Sequence, residues 1–112
     1  MTYKYNSVCI KVIDGDTIDA FVDLGFEIWI KKRIRLYGID TPETRTKNLT
    51  EKQKGLEAKS FLTQILEKNN FKFILLSHGV GKYGRCLGEL FIDEESVNEL
   101  LIKEGHAKKY KE

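Results

Sequence analysis

Between Ile28 and Ile39 the chain alternates. Ile28, Ile30, Ile34 and Leu36 fall on one side of an extended backbone, and Lys31, Arg33, Arg35 and Tyr37 fall on the other. A period of two suits a half-buried strand, with its apolar side in a core and a cationic side outward. Such a strand needs neighbours to be stable, and the preceding residues supply them. Val8 to Ile13 is a short apolar run that ends at Asp14-Gly15, a preferred hairpin pair. Thr17 to Val22 follows as its partner, and Asp23-Leu24-Gly25 turns the chain again. The first third is therefore predicted to be a three-stranded antiparallel meander.

The remainder reads as α-β-β-α. Thr50-Glu51-Lys52-Gln53 has the form of a capping box, and Ala58, Phe61, Leu62, Ile65 and Leu66 follow at helical spacing. Asn69-Asn70 stops this helix. Phe71 to Leu76 and Leu87 to Ile92 are the fourth and fifth strands. Ser96-Val97-Asn98-Glu99 is a second capping box, opening a short helix anchored by Leu100 and Leu101, with Gly105 at its C′ position. The order βββ-α-β-β-α is that of an OB-fold, a five-stranded Greek-key β-barrel with helices (α+β). A generic α+β sheet shares the order. The 112 residues, 41% hydrophobic and 32% charged, are expected to form a single domain over 1–112 with its own core. A TIM barrel or a two-domain dinucleotide-binding enzyme needs a longer chain.

Several function classes drop out. No apolar run approaches the roughly 20 residues of a membrane span. The first residues lack the apolar region of a signal peptide, so a soluble cytoplasmic protein is expected, or a secreted one if a leader has been removed. Cys9 and Cys86 are expected to be reduced, and with no CxxC or Cys/His cluster, zinc is not expected. Gly79-Val80-Gly81-Lys82-Tyr83-Gly84 matches G-x-G-x-x-G, but a strand-like segment follows it where the dinucleotide fingerprint needs a helix. It is read as a tight loop. His78 and His106 are read as surface residues, and Trp29 as a packing aromatic rather than a base platform. The net charge of +2 does not by itself indicate a nucleic-acid partner.

The placement of charge is more informative. Asp16 lies just past the first hairpin turn, Arg35 is on the third strand, Asp40-Thr41-Pro42-Glu43 follows that strand, and Arg85 ends the turn begun by Lys82. A barrel that gathers these strand ends would bring Asp16, Asp40 and Glu43 together with both arginines nearby. Clustered carboxylates repel each other and attract a divalent cation. An all-oxygen set selects a hard ion, calcium or magnesium. Guanidinium groups beside such an ion match a phosphate through paired hydrogen bonds. Together they describe phosphoryl transfer or phosphodiester hydrolysis. Taken separately, Asp14 is a turn residue, Asp40 to Glu43 a loop or helix start, and Lys31 to Arg35 a solvated face.

Four segments resemble, in order, the staphylococcal nuclease (thermonuclease) family. They are Ile13-Asp14-Gly15-Asp16-Thr17, Arg35-Leu36 through Asp40-Thr41-Pro42-Glu43-Thr44, Lys82-Tyr83-Gly84-Arg85, and Val97-Asn98-Glu99 with Gly105 and Ala107. The likeness spans about residues 8 to 109. It implies an OB barrel and a calcium-dependent nuclease that cuts DNA and RNA at the P–O5′ bond and leaves 3′-phosphates. Calcium is expected ahead of magnesium, the protein is expected to be a monomer, and an OB surface suits single strands. By the same resemblance Asp16 and Asp40 are calcium ligands, and Thr41 adds its backbone carbonyl. Glu43 activates or positions the attacking water, and Arg35 and Arg85 hold the scissile phosphate. Lys82 and Tyr83 bind a terminal phosphate. Tyr110 lies one residue out of register with the family's base-stacking tyrosines. The loop from Arg45 to Lys54 is shortened, and a further C-terminal helix common in the family has no counterpart before Glu112. A competing reading is a nuclease-like module that binds nucleic acid or protein without cutting. The joint presence of Asp16, Arg35, Asp40, Glu43 and Arg85 favours the enzyme.

Overall fold

A computed structural model of the chain describes residues 3–111. The elements in order are β1 (Lys4–Asp14), β2 (Thr17–Asp23), β3 (Trp29–Leu36), the two-residue β4 (Ile39–Asp40), α1 (Leu49–Lys68), β5 (Lys72–Val80), β6 (Cys86–Ile92), the two-residue β7 (Glu95–Ser96), α2 (Val97–Lys103) and the two-residue β8 (Lys108–Lys109). The strands pair in the order β3-β2-β1-β5-β6, and β3 returns to pair in parallel with β6 from Ile34↔Cys86 to Leu36↔Gly88. That return closes a five-stranded barrel, and the fold is the OB-type α+β fold. Among the described residues no helix is long and apolar enough to cross a membrane.

The meander forms as expected, with small shifts. Asp14 pairs with Thr17, so the hairpin turn centres on Gly15-Asp16, one residue later than the Asp14-Gly15 pair suggests. Alternation holds along β3, with Ile34 and Leu36 fully buried. β3 stops at Leu36 rather than Ile39. Gly38, at φ +77, turns the backbone through a region that side chains disfavour. Ile39 and Asp40 then leave the barrel and pair with Lys109 and Lys108. Ile28 precedes the strand and is exposed. Trp29 is also half exposed, contrary to the packing role expected of it.

Helix α1 begins earlier than Thr50. Asn48 is its N-cap, and the Asn48 side chain accepts from the Glu51 N–H at 3.1 Å. Asn caps as well as any residue, and it sits where Leu49 can start the helix. Gly55, Ala58, Leu62 and Leu66 form its buried stripe. Leu62 and Leu66 join Ile18, Ile34, Leu36, Leu75, Leu90 and Leu101 in the core and close one end of the barrel. Helix α2 starts as expected at Ser96, whose hydroxyl accepts from Glu99 N–H and donates to the Glu89 carboxylate. His106 is half buried with its ring 4.5 Å from that of Phe61, so it is not a free surface residue. His78 is exposed and stacks on Tyr37 at 4.0 Å. Cys9 and Cys86 are free thiols, and burial pushes Cys9 up to about 11.

Asn98 ties the helical end of the chain to the barrel. It is buried, donates from Nδ2 to Tyr37 O (2.9 Å) and Gly88 O (3.2 Å), and accepts from Leu90 N–H (3.2 Å). Those three groups belong to the end of β3 and to β6. Gly55 has a comparable place on α1. A Cβ there would lie 2.6 Å from Glu43 O and 2.7 Å from Pro42 O, so only glycine lets the helix lie against that loop.

Asn98→Ala takes the amide from Tyr37 O and Leu90 N–H, while Gly88 O still accepts from Tyr37 N–H at 2.7 Å, and is expected to lower stability by about 2–3 kcal/mol in urea unfolding. A loss under about 1 kcal/mol would show that water replaces the amide. Gly55→Ala should cost about 1–3 kcal/mol by overpacking and shift the backbone amide resonances of Thr41 to Thr44. Unmoved resonances would mean the helix, rather than the loop, gives way.

Candidate active site

The site is assembled from three backbone events. The β1–β2 turn presents Asp16, β3 ends with Arg35, and β4 presents Asp40 followed by Thr41. Thr17 is the cross-strand partner of Arg35, and Leu36 N–H donates to Asp16 O at 2.8 Å. The hairpin turn is therefore fixed against the end of β3. Asp16 Oδ1 accepts from the Thr17 hydroxyl at 3.0 Å, and Oδ2 accepts from Thr41 N–H at 3.1 Å. One guanidinium joins the two acids. Arg35 Nη1 lies 3.4 Å from Asp16 Oδ2, and Arg35 Nη2 lies 3.5 Å from Asp40 Oδ1. Nη1 also donates to Leu36 O at 3.1 Å.

Arg35 differs from its neighbours on the same strand side. Its side chain is 12% exposed while that of Arg33 is 53% exposed. The cationic side of β3 is solvated at Lys31 and Arg33 and folds over a carboxylate pair at Arg35. Two carboxylates face this one guanidinium, with Asp16 and Arg35 nearly covered and Asp40 partly open to water. Tyr110 stands over this cluster. Its N–H donates to Gly38 O at 2.9 Å, an extension of the β4–β8 pairing, and its ring centroid is 5.7 Å from Arg35 Cζ.

Glu43 does not join the cluster. Among the described residues no three His, Cys, Asp or Glu side chains gather closely enough to hold a metal ion, so the expected meeting of three carboxylates is corrected to a pair. The cause is local. The Thr44 hydroxyl donates to Asp14 Oδ1 at 2.5 Å and pins the loop to the end of β1, and Pro42-Glu43 rests on Gly55 of α1. Glu43 is left exposed on a ridge between two clefts. One cleft is shared with Asp40, Thr41 and the start of α1, and the other with Asp14, Thr17, Lys11, Arg33, Arg45 and Arg85. Arg85 thus faces Glu43 across a cationic cleft. Lys82 and Tyr83 occupy the short 3₁₀ turn before it, and the Tyr83 ring is 92% exposed with the Arg85 guanidinium 5.9 Å from its centroid.

The donor set suits a hard cation. Asp16 and Asp40 present carboxylate oxygens that reach the same guanidinium, and carboxylate oxygens are the donors a hard ion takes. Thr41 Oγ1 is a further buried oxygen, without a hydrogen-bond partner. Thr17, Thr44, Asn48 and Gly55 support the site without having been singled out from the sequence for it. Thr17 follows Asp16 directly, and Gly55 is a lone glycine inside a helical pattern, a signal of close packing.

This arrangement has relatives. Residues 33–112 match the family described as Staphylococcal nuclease homologue. The chain is 36% identical over 107 residues to the thermonuclease of Staphylococcus hyicus, covering 96% of this chain and 58% of that protein. It is 36% identical over 98 residues to the thermonuclease of Staphylococcus intermedius, covering 88% of this chain and 55% of that protein. An uncharacterized protein of Methanocaldococcus jannaschii is 33% identical over 129 aligned positions, covering 95% of this chain and 59% of that protein. The chain therefore spans somewhat more than half the length of these curated relatives. The chain belongs to the staphylococcal nuclease homologue family.

Proposed function

We propose that this chain is a calcium-dependent nuclease that hydrolyses DNA and RNA at the P–O5′ bond, acting as a monomer and preferring single strands. The observation that carries this reading is the single guanidinium of Arg35 held within 3.5 Å of both Asp16 and Asp40. Asp16, Asp40 and the Thr41 carbonyl would hold the cation, with calcium ahead of magnesium. A bound divalent ion supplies Lewis-acid stabilisation of charge on the phosphate oxygens. The names of the two staphylococcal relatives support the activity.

The chain's own residues divide the remaining work. Glu43, exposed on its ridge, accepts a proton from the water that attacks phosphorus, or positions that water. The P–O5′ bond breaks, the 5′ oxygen takes up a proton, and the phosphate stays on the 3′ side. Arg35 and Arg85 donate to the equatorial oxygens as charge builds there. Lys82 and Tyr83, on the rim beside Arg85, take a terminal phosphate. Tyr110 offers its ring to a base next to Arg35.

Cleavage of end-labelled single-stranded DNA tests this. Calcium should support cutting to 3′-phosphate ends, EDTA should abolish it, and magnesium should support less. Arg35→Lys and Glu43→Ala should each lower the rate by about 10²–10³-fold, while Glu43→Ala still binds the strand. Folded protein that binds but never cuts, under any metal, would replace the enzyme with a binding module.

A further inference from the structure

We propose that the turn between β2 and β3 is a membrane-contact tip, seating Phe26 and its apolar neighbours in the surface of an anionic lipid bilayer. The inference does not depend on the hydrolysis. It concerns the end of the hairpin opposite to Arg35, since Thr17 pairs with Arg35 at one end and Asp23 with Trp29 at the other.

Residues 24–29 read Leu-Gly-Phe-Glu-Ile-Trp. The four large apolar side chains all stand in water. Phe26 is 97% exposed, and Leu24, Ile28 and Trp29 are 42%, 53% and 48% exposed. A turn that only connects strands favours Gly, Asn, Asp or Ser, and the core makes no use of Phe26. The backbone nevertheless holds it in place. Leu24 N–H donates to Ile28 O at 2.8 Å, Ile28 N–H donates to Gly25 O at 2.9 Å, and Asp23 accepts from Gly25 N–H at 2.8 Å. Phe26 and Glu27 lie at φ 54 and 64, in the left-handed region that side chains disfavour. The closed turn thus keeps an aromatic ring at its apex.

The chemistry changes with distance from that apex. Phe26 comes first, Leu24 and Ile28 flank it, and Trp29 opens β3. Lys31 and Lys32, both exposed, follow about 7–10 Å farther along the strand. A bilayer surface has the same order. Hydrocarbon gives way to the interfacial layer where tryptophan collects, and then to anionic headgroups that attract lysine. Shallow seating of about 5–10 Å is typical of peripheral apolar segments. Glu27 and Asp23 are the acids of the turn, and a carboxylate is costly in hydrocarbon, so seating stops near the headgroups.

Size selects lipid over protein. A stable protein interface takes about 20–30 residues from each partner, and this turn offers six. A bilayer surrounds a projecting turn and sets no such minimum.

Sedimentation with vesicles of phosphatidylglycerol and phosphatidylcholine, in EDTA and without nucleic acid, tests the tip. Trp29 is the only tryptophan in the chain, and its emission should shift to the blue as vesicles are added. Phe26→Asp should weaken partition at least tenfold, and Asp tolerates the left-handed region better than Phe, so this variant should fold. Lys32→Gln should weaken partition about fivefold, while Glu27→Gln should tighten it. No partition by the wild type at low salt, or equal partition by the wild type and Phe26→Asp, would overturn the tip. A wild-type dimer that Phe26→Asp dissociates, with no binding to vesicles, would also overturn it and give the turn to a second copy of the chain. Partition that is lost in Phe26→Asp supports the tip even in protein that never cuts.

Discussion

Asp16 is a carboxylate at a hairpin turn with only 12% of its side chain exposed. A buried anion survives only where donors replace the water it has lost. The donors come from three separate places in the chain: the Thr17 hydroxyl, the Thr41 N–H and the Arg35 guanidinium. The β1–β2 turn, the end of β3 and the start of the Asp40–Thr44 loop are therefore held in one arrangement. Everything placed around the site depends on that convergence. Asp40 arrives because Gly38 turns the chain out of the barrel, and Tyr110 arrives because β8 pairs with β4. Breaking any of these would leave a carboxylate buried with too few partners.

The scaffold and the site use opposite sides of the same strands. Inward residues of β2 and β3 build the core, and outward ones run from a solvated cationic stretch to the guarded pair at Arg35. Asn98 then fixes the strand ends from behind by satisfying three backbone groups of β3 and β6. The rigidity of the site thus comes from polar groups at the rim as much as from the packed interior.

Much of this was legible in the residues. The alternation from Ile28 gave β3 its inward face, the turn pairs gave the meander, and Ser96 gave the start of α2. Local pattern reports which side of a strand a residue occupies. It does not report where a long side chain ends, so the alternation alone left Arg35 open to both readings, a site residue or one of a solvated row. Glu43 was expected beside Asp16 and Asp40 because a barrel gathers the strand ends that carry all three. The loop's direction depends on Thr44 meeting Asp14 and on Gly55 meeting Pro42, contacts that no short-range rule contains. The ends of α1 and β3 shifted because Asn48 caps sooner than Thr50 and Gly38 breaks sooner than Ile39. Trp29 was expected to be a packing aromatic, but its cross-strand position opposite Asp23 places it on the outward side with the polar row, half exposed.

The central claim is that the Asp16–Asp40 pair is a hard-cation site. Thermal unfolding of the protein across a calcium titration tests it most directly, with Asp40→Asn alongside, since the Asp40 side chain is 39% exposed and its loss leaves the core intact. An ion that binds only the folded state stabilises it by RT ln(1 + [L]/Kd), about 2.7 kcal/mol at a hundredfold excess over Kd. The account predicts a melting temperature that rises with calcium in the wild-type protein and stays flat in Asp40→Asn. No rise in the wild type, or the same rise in both proteins, would contradict it.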